Sequence, residues 1–309
     1  MNDLALITQK TSSLPHMDRI KAIVLDSVPS EHTKRAYGQA LDGFLGWYQA
    51  EDPGELSKAT VNRYRAKLET DGLSPASVSK HLSAIRKLVS EAADNGLISP
   101  ALAESIKKVK GAKRQGVRLG NWLSHEQAQE LLDLPDTKKL KGQRDQAILA
   151  ILLGAGLRRG EAACLTTDHF GQREGRWVIV DLMGKHGRVR SVPIANWVKA
   201  AVDRWLAAAG ITSDRIFRPV NKSGKVRRDS MTDQAIYDVL AGYALLLGVK
   251  VAPHDMRRTF AQLARRAHSD IEQIQSSLGH ASILTTQKYL GTRQDLTDAP
   301  SDRIKLRIH

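Results

Sequence analysis

Near its end the chain reads Leu278-Gly279-His280, and nine residues later comes Tyr289. A phenol with a pKa of about 10 is an unusual nucleophile, and it needs dense support before it can attack anything. Residues able to give that support stand upstream in a fixed order: Gly156-Leu157-Arg158-Arg159-Gly160-Glu161, then Gly184-Lys185, then His254-Asp255-Met256-Arg257. Each has an innocuous reading when taken alone. Arg158 could be a helix-terminus arginine paired with Glu161. Lys185 lies in a turn, Met183 to Gly187, where lysines are usually solvated. His280 could cap a helix, and Tyr289, three residues after Thr286, could be a packed aromatic. His-x-x-Arg also occurs as His16/Arg19 and His32/Arg35. Only His254/Arg257 opens a helix, marked by Met256, Phe260, Leu263 and Ala267, on which residues three apart share a face and can converge on one ligand.

The elements that must hold these groups fall into two domains. Residues 1–28 carry weak periodicity and read as a flexible lead-in. From Ser30, apolar residues at Tyr37, Leu41, Phe44, Leu45 and Tyr48 mark an amphipathic helix. A second helix runs from about Ser57 to Thr70. A third starts near Ser74-Pro75, carries Val78, Leu82, Ile85, Leu88 and Val89, and stops at Asn95-Gly96. This all-helical domain is expected over 29–106. The segment 107–119 is basic and glycine-containing, with no acidic residue between Lys107 and Arg118, and reads as a linker. A second domain, 120–297, opens at Ser124-x-x-Gln127, a capping-box pattern. A helix from about Arg144 to Leu153 then leads into the break at Gly154 and Gly156. Trp177 to Ile194 alternates around turn glycines and predicts a small antiparallel sheet. Helices dominate from Asn196.

A net charge of +14 and a pI near 9.9 suggest a polyanionic partner, most simply nucleic acid. The single cysteine, Cys164, can form no internal disulfide and fits a reducing compartment. No apolar run reaches the ~20 residues a membrane span needs, and the N-terminus lacks the pattern of a secretory signal. The expected location is cytoplasmic and nucleoid-associated, with no membrane partner.

In their order, Arg158, Lys185, His254-x-x-Arg257, Leu-Gly-His280 and Tyr289 resemble the tyrosine recombinases, or phage-integrase family. The local strings agree: Gly-Leu-Arg-Arg-Gly-Glu, Gly-Lys followed by Arg190-Ser191-Val192-Pro193-Ile194, His-Asp-Met-Arg-Arg-Thr-Phe, and Leu-Gly-His-Ala-Ser-Ile-Leu-Thr-Thr-Gln-Lys-Tyr. The Thr33-Tyr37-Phe44-Trp47 pattern is similar to the family's N-terminal domain, so the resemblance covers about 30 to 290. It departs after Lys185, where His186-Gly187-Arg188 stands in place of a frequent Gly-Asn-Lys. The fold it implies is mainly α: a helical, SAM-like core-binding domain followed by an α+β catalytic domain. It is the two-domain type seen in Xer-like and mobile-element recombinases, and the 28 leading residues are too few for a separate arm-binding domain.

The resemblance also implies chemistry and partners. Tyr289 would attack a DNA phosphodiester to give a 3′-phosphotyrosine. Arg158 and Arg257 would clamp the phosphate, Lys185 would protonate the departing 5′-oxygen, and His254 and His280 would assist at the tyrosine and the phosphate. Glu161 would orient the cluster, and neither metal nor nucleotide cofactor is expected. Lys107, Lys108, Lys110, Lys113, Arg114 and Arg118 would strap the DNA backbone, with Lys80 and Arg86 as further contacts. Expected partners are double-stranded DNA with specific core sites and further copies of the chain, tetrameric in synapsis and monomeric or weakly dimeric when free. An accessory DNA-bending or directionality protein is a further candidate. Residues 298–309 alternate as a short strand, suited to exchange between protomers. A type IB topoisomerase-like enzyme and a catalytically silent DNA-binding protein remain rival readings.

Overall fold

Four helices of the N-terminal half begin in the same way, with a serine side chain accepting a backbone N–H one turn on: Ser30 from Thr33, Ser57 from Thr60, Ser74 from Ser77 and Ser99 from Leu102. Each such cap contributes about 1 kcal/mol, and together they fix where the helices start. The helices are α2 (Glu31–Glu51), α3 (Lys58–Thr70), α4 (Pro75–Asp94) and α5 (Pro100–Lys107). Proline occupies the first turn of α4 and α5, where its missing N–H costs nothing. In the computed structural model, residues 14–112, 121–184, 187, 189–227 and 229–291 are described. The chain divides into two units, Met1–Val117 and Arg118–His309.

The first unit closes around Leu41, Phe44, Tyr64, Leu82 and Ile85. Phe44 meets Tyr64 edge-on with ring centroids 5.1 Å apart, and Trp47 lies 5.0 Å from the same ring. Two expectations need correction here. Part of the supposed flexible lead-in is helix α1 (Leu14–Asp26), whose Ile20 and Val24, one turn apart, are buried, as is Val28 just after it. The basic linker also begins later than its composition suggests. Val109 is buried in the first core, and the carbonyls of Lys107, Val109 and Lys110 accept hydrogen bonds from Arg86 and Arg65.

The second unit is built on α7 (Leu140–Gly154), where Ala147 through Leu153 are all buried. A helix apolar on every side must be covered all round, and α6 (His125–Asp133), α9 (Asn196–Ala209), α10 (Asp233–Leu246) and α11 (Pro253–Arg266) pack against it. The capping box of α6 forms as the sequence suggests: Ser124 Oγ accepts from Gln127 N–H, and the Gln127 side chain accepts from Ser124 N–H. Beyond α7 comes α8 (Arg159–Ala163), then a three-stranded antiparallel sheet in the order β1 (Phe170–Arg173), β2 (Arg176–Met183), β3 (Val189–Pro193). Phe170 pairs with Ile179, and Ile179 with Val192. Two short helices, α12 (Ile271–Leu278) and α13 (Ile283–Leu290), close the unit against α11 around a small core of Ala261, Ile274, Leu278 and Tyr289. The protein is mostly helical. Among the described residues, no helix is long and apolar enough to cross a membrane.

Candidate active site

Two glycines shape the ground under the site. Gly156 has φ +58°, and a Cβ there would lie 2.7 Å from the Phe260 ring. Gly279 ends α12 in the left-handed conformation at φ +62°, and a Cβ there would lie 2.7 Å from Arg190 Cδ. Any other residue would combine backbone strain with a clash at either position. Both turns deliver carbonyls to one acceptor set. Arg257 Nη1 donates to Gly156 O at 2.6 Å, and its Nη2 donates to Leu278 O. Arg257 therefore ties together the Gly-Leu-Arg string, the His-x-x-Arg helix and the Leu-Gly-His turn.

Arg257 is fully buried. Burial, and then the neighbouring Arg158, lower its pKa to about 10, so it stays cationic at neutral pH. Its Nε is buried without a hydrogen-bond partner. An enclosed charge costs several kcal/mol in desolvation, and a buried N–H left unpaired adds about 1–3 kcal/mol. Such costs are usual where an anion is to be received.

Arg158 stands at the start of α8 with its side chain 38% exposed. Its Nη1 donates to Glu161 Oε1 at 2.7 Å, and its backbone N–H donates to Glu161 Oε2 at 2.8 Å. Glu161 also receives a two-pronged contact from Arg190, at 3.0 Å and 2.8 Å. Burial alone would raise the pKa of Glu161. Hydrogen bonds from Arg190 and the Arg158 backbone, with both guanidinium charges, outweigh it and hold the carboxyl at about 2.

Tyr289 is buried, and its hydroxyl donates to His254 O at 2.9 Å. The ring is met edge-on by His254, 5.2 Å between centroids, and by His280, 5.3 Å. Arg258 lies 5.0 Å above it. Burial raises the phenol's pKa, while Arg257 and Arg258 pull it back. His280 Nδ1 lies 3.0 Å from the Thr286 hydroxyl, and Thr286 is itself fully buried. Burial and then the charge of Arg257 push His280 down to about 4, and the same causes lower His254. Both imidazoles are therefore neutral near pH 7. The helix that carries Tyr289 is held by Gln262, whose side-chain amide donates to Leu290 O at 2.6 Å.

The structure thus brings together Arg158, Glu161, His254, Arg257, His280 and Tyr289, which lie far apart in sequence. Lys185 lies outside the described residues, between β2 and β3, as do Lys113, Arg114, Arg118 and the tail 298–309. Lys80, Lys108 and Lys110 are exposed. Lys107 pairs with Glu104 at 2.9 Å. Arg86 is half-buried, and its Nε and Nη2 donate to the carbonyls of Lys107 and Val109. Two arginines were missed as members of the site. In the sequence both Arg190 and Arg258 appear only as members of the matching strings. Among the described residues, no group of three His, Cys, Asp or Glu is placed to hold a metal ion.

Comparison with known proteins places this geometry. Residues 121–295 match the model of the phage integrase family, and residues 20–96 match that of the phage integrase N-terminal SAM-like domain. The tyrosine recombinase XerC of Thermodesulfovibrio yellowstonii is 30% identical over 278 residues, covering 86% of this chain and 88% of the relative. XerC of Pseudomonas fluorescens is 30% identical over 290 residues, covering 89% and 93%. The fold is also that of a XerH site-specific recombinase bound to palindromic difH substrate after cleavage (TM-score 0.69, 20% identity, 92% and 82% covered). A lambda integrase dimer on a COC′ core site is likewise similar (TM-score 0.70, 15% identity, 90% and 96% covered).

Proposed function

The chain belongs to the phage integrase family of tyrosine recombinases, enzymes of site-specific recombination through a phosphotyrosine intermediate, and on that premise we propose that Tyr289 is its nucleophile. The observation that carries the assignment is the convergence of three sequence strings through Arg257 onto the surroundings of one tyrosine. Tyr289 Oη attacks the scissile phosphorus, the bond to the 5′-oxygen breaks, and DNA is left attached through a 3′-phosphotyrosine. The phenol is a tolerable leaving group on the return step, so the energy of the broken bond is kept.

Arg158 and Arg257 face the non-bridging oxygens, where negative charge grows in the transition state. In the tautomer we assign, His280 Nδ1 accepts a hydrogen bond from the Thr286 hydroxyl and Nε2 carries the proton, as a neutral donor to the phosphate. His254, neutral, takes the phenol proton once the Tyr289 hydroxyl leaves the His254 carbonyl. Lys185 supplies the proton to the departing 5′-oxygen, a role worth about 10²- to 10⁴-fold in rate. Glu161 orients the arginines.

DNA is the partner, bound at specific core sites. The exposed Lys80, Lys108 and Lys110, with Lys113, Arg114 and Arg118, track its backbone. The working assembly is a tetramer at paired sites, with the tail 298–309 exchanged between protomers, and it acts on nucleoid DNA in the cytoplasm. A nicked suicide substrate tests the nucleophile: wild-type enzyme accumulates a covalent complex, and Tyr289→Phe binds the same DNA without trapping it. Trapping by the phenylalanine variant would sink the assignment.

A further inference from the structure

We propose that Arg190 is a positioning residue for the cleavage step: it occupies Glu161 and so leaves the charge of Arg158 available to the scissile phosphate. This rests on the reading of Arg158 as a phosphate clamp. Arg190 has all three guanidinium nitrogens engaged by the protein. Its side chain is 10% exposed, its Nη1 and Nη2 are on Glu161, and its Nε donates to Ser277 O at 3.1 Å. Arg158 is the more accessible of the two, at 38%.

The charge balance is the core of the argument. Glu161 carries one negative charge and accepts from both guanidinium groups. With both arginines present the trio carries a net positive charge. Without Arg190, Glu161 would neutralise Arg158 alone, and the pair would offer a phosphate no net charge. The enclosure of Glu161, 8% exposed, keeps water from screening this effect.

Arg190 also spans the site mechanically. It reaches from β3 to α8 through Glu161 and to the end of α12 through Ser277. Its Cδ lies against Gly279, the residue before His280. One side chain therefore sets both the charge beside Arg158 and the seat of the turn that carries His280.

Full-length enzyme and a nicked substrate test this with single-turnover cleavage at saturating DNA. Arg190→Gln should slow cleavage about 10²-fold, the scale of losing one transition-state donor, with DNA affinity little changed. The double variant Glu161→Gln/Arg190→Gln restores a net charge on Arg158 and should recover about tenfold of that loss, ~1.4 kcal/mol of the cleavage barrier. On a substrate with a neutral methylphosphonate at the scissile position, the deficit of Arg190→Gln relative to wild type should nearly vanish. Arg190→Lys keeps the charge without the fork, so it should cleave faster than Arg190→Gln, and it remains informative if the glutamine variant fails to fold. A double variant no faster than the single one, an undiminished deficit on methylphosphonate, or a lysine variant as slow as glutamine would overturn the proposal. Failure of Arg158→Ala to be relieved by methylphosphonate would instead count against the clamp reading, and no trapping by wild type against the functional reading.

Discussion

Asp145 and Glu161 are both enclosed carboxylates of the second unit, but their surroundings are arranged differently. Asp145 is fully buried, and all of its neighbours turn inward on it: Arg144 through Nε and Nη2 at 2.9 Å and 2.6 Å, Lys141 at 2.7 Å and the Tyr243 hydroxyl at 3.1 Å. Glu161 receives Arg158 and Arg190, and a third cation, Arg257, is buried close enough to feel their charges. The first cluster spends its hydrogen bonds on itself. The second holds three cations against one carboxylate where the first holds two, and it keeps one partly exposed arginine and an unpaired buried Nε. Closed buried charge positions helices, and open buried charge waits for an anion.

The comparison can be broken most forcefully at Asp145. Asp145→Ala leaves Arg144 buried without its partner and should destabilise the protein by about 3–5 kcal/mol, a large share of a typical margin of about 5–15 kcal/mol. Denaturant unfolding measures this, and the fraction still folded should cleave at the wild-type rate. A slowed cleavage step would mean the closed cluster is not merely structural. Arg158→Ala should behave in the opposite way. Cleavage should drop about 10²- to 10³-fold, while the melting temperature moves little because the side chain is partly exposed.

A smaller effect concerns protons. In the DNA-free enzyme, His280 sits at about 4 against an ordinary 6.5, so the stability it gives is complete above pH 6.5 and is lost as pH falls toward 4. Glu161, held at about 2 against 4.5, adds a second loss between those values at more acid pH. His280→Gln should shrink the first phase of acid destabilisation, to which the lowered His254 also contributes, and leave the second. An NMR titration of His280 near 6.5 would contradict the buried, cation-flanked setting. Thr286→Val, which removes the hydroxyl from His280 Nδ1, should cost about 0.5–1.5 kcal/mol in the cleavage barrier, or a few-fold to about tenfold in rate.

How much of this was legible in sequence follows from where each signal resides. The helices of the first unit announce themselves through serine caps and prolines, which act within one turn. The catalytic strings are legible because turn glycines sit beside their polar residues, at Gly156 and Gly279. Arg190 is legible only as part of a string, because its partners lie 29 and 87 residues away. Arg86 looks like any basic helix residue until the carbonyls 21 and 23 residues on are seen to accept from it. Helix α1 offers just Ile20 and Val24 as buried apolar residues, with Val28 following it, too thin a pattern to separate from a tether. β1, four residues long, gains its identity from pairing with β2 rather than from its own alternation.

The central claim is that the chain's chemistry passes through the Tyr289 hydroxyl. Wild-type enzyme trapped on a nicked, end-labelled substrate, digested with protease and analysed by mass spectrometry, addresses it directly. The account predicts a nucleotide adduct on the peptide carrying Tyr289, joined through a 3′-phosphate. An adduct on Tyr237, Tyr243 or a serine, or a linkage through a 5′-phosphate, would contradict it.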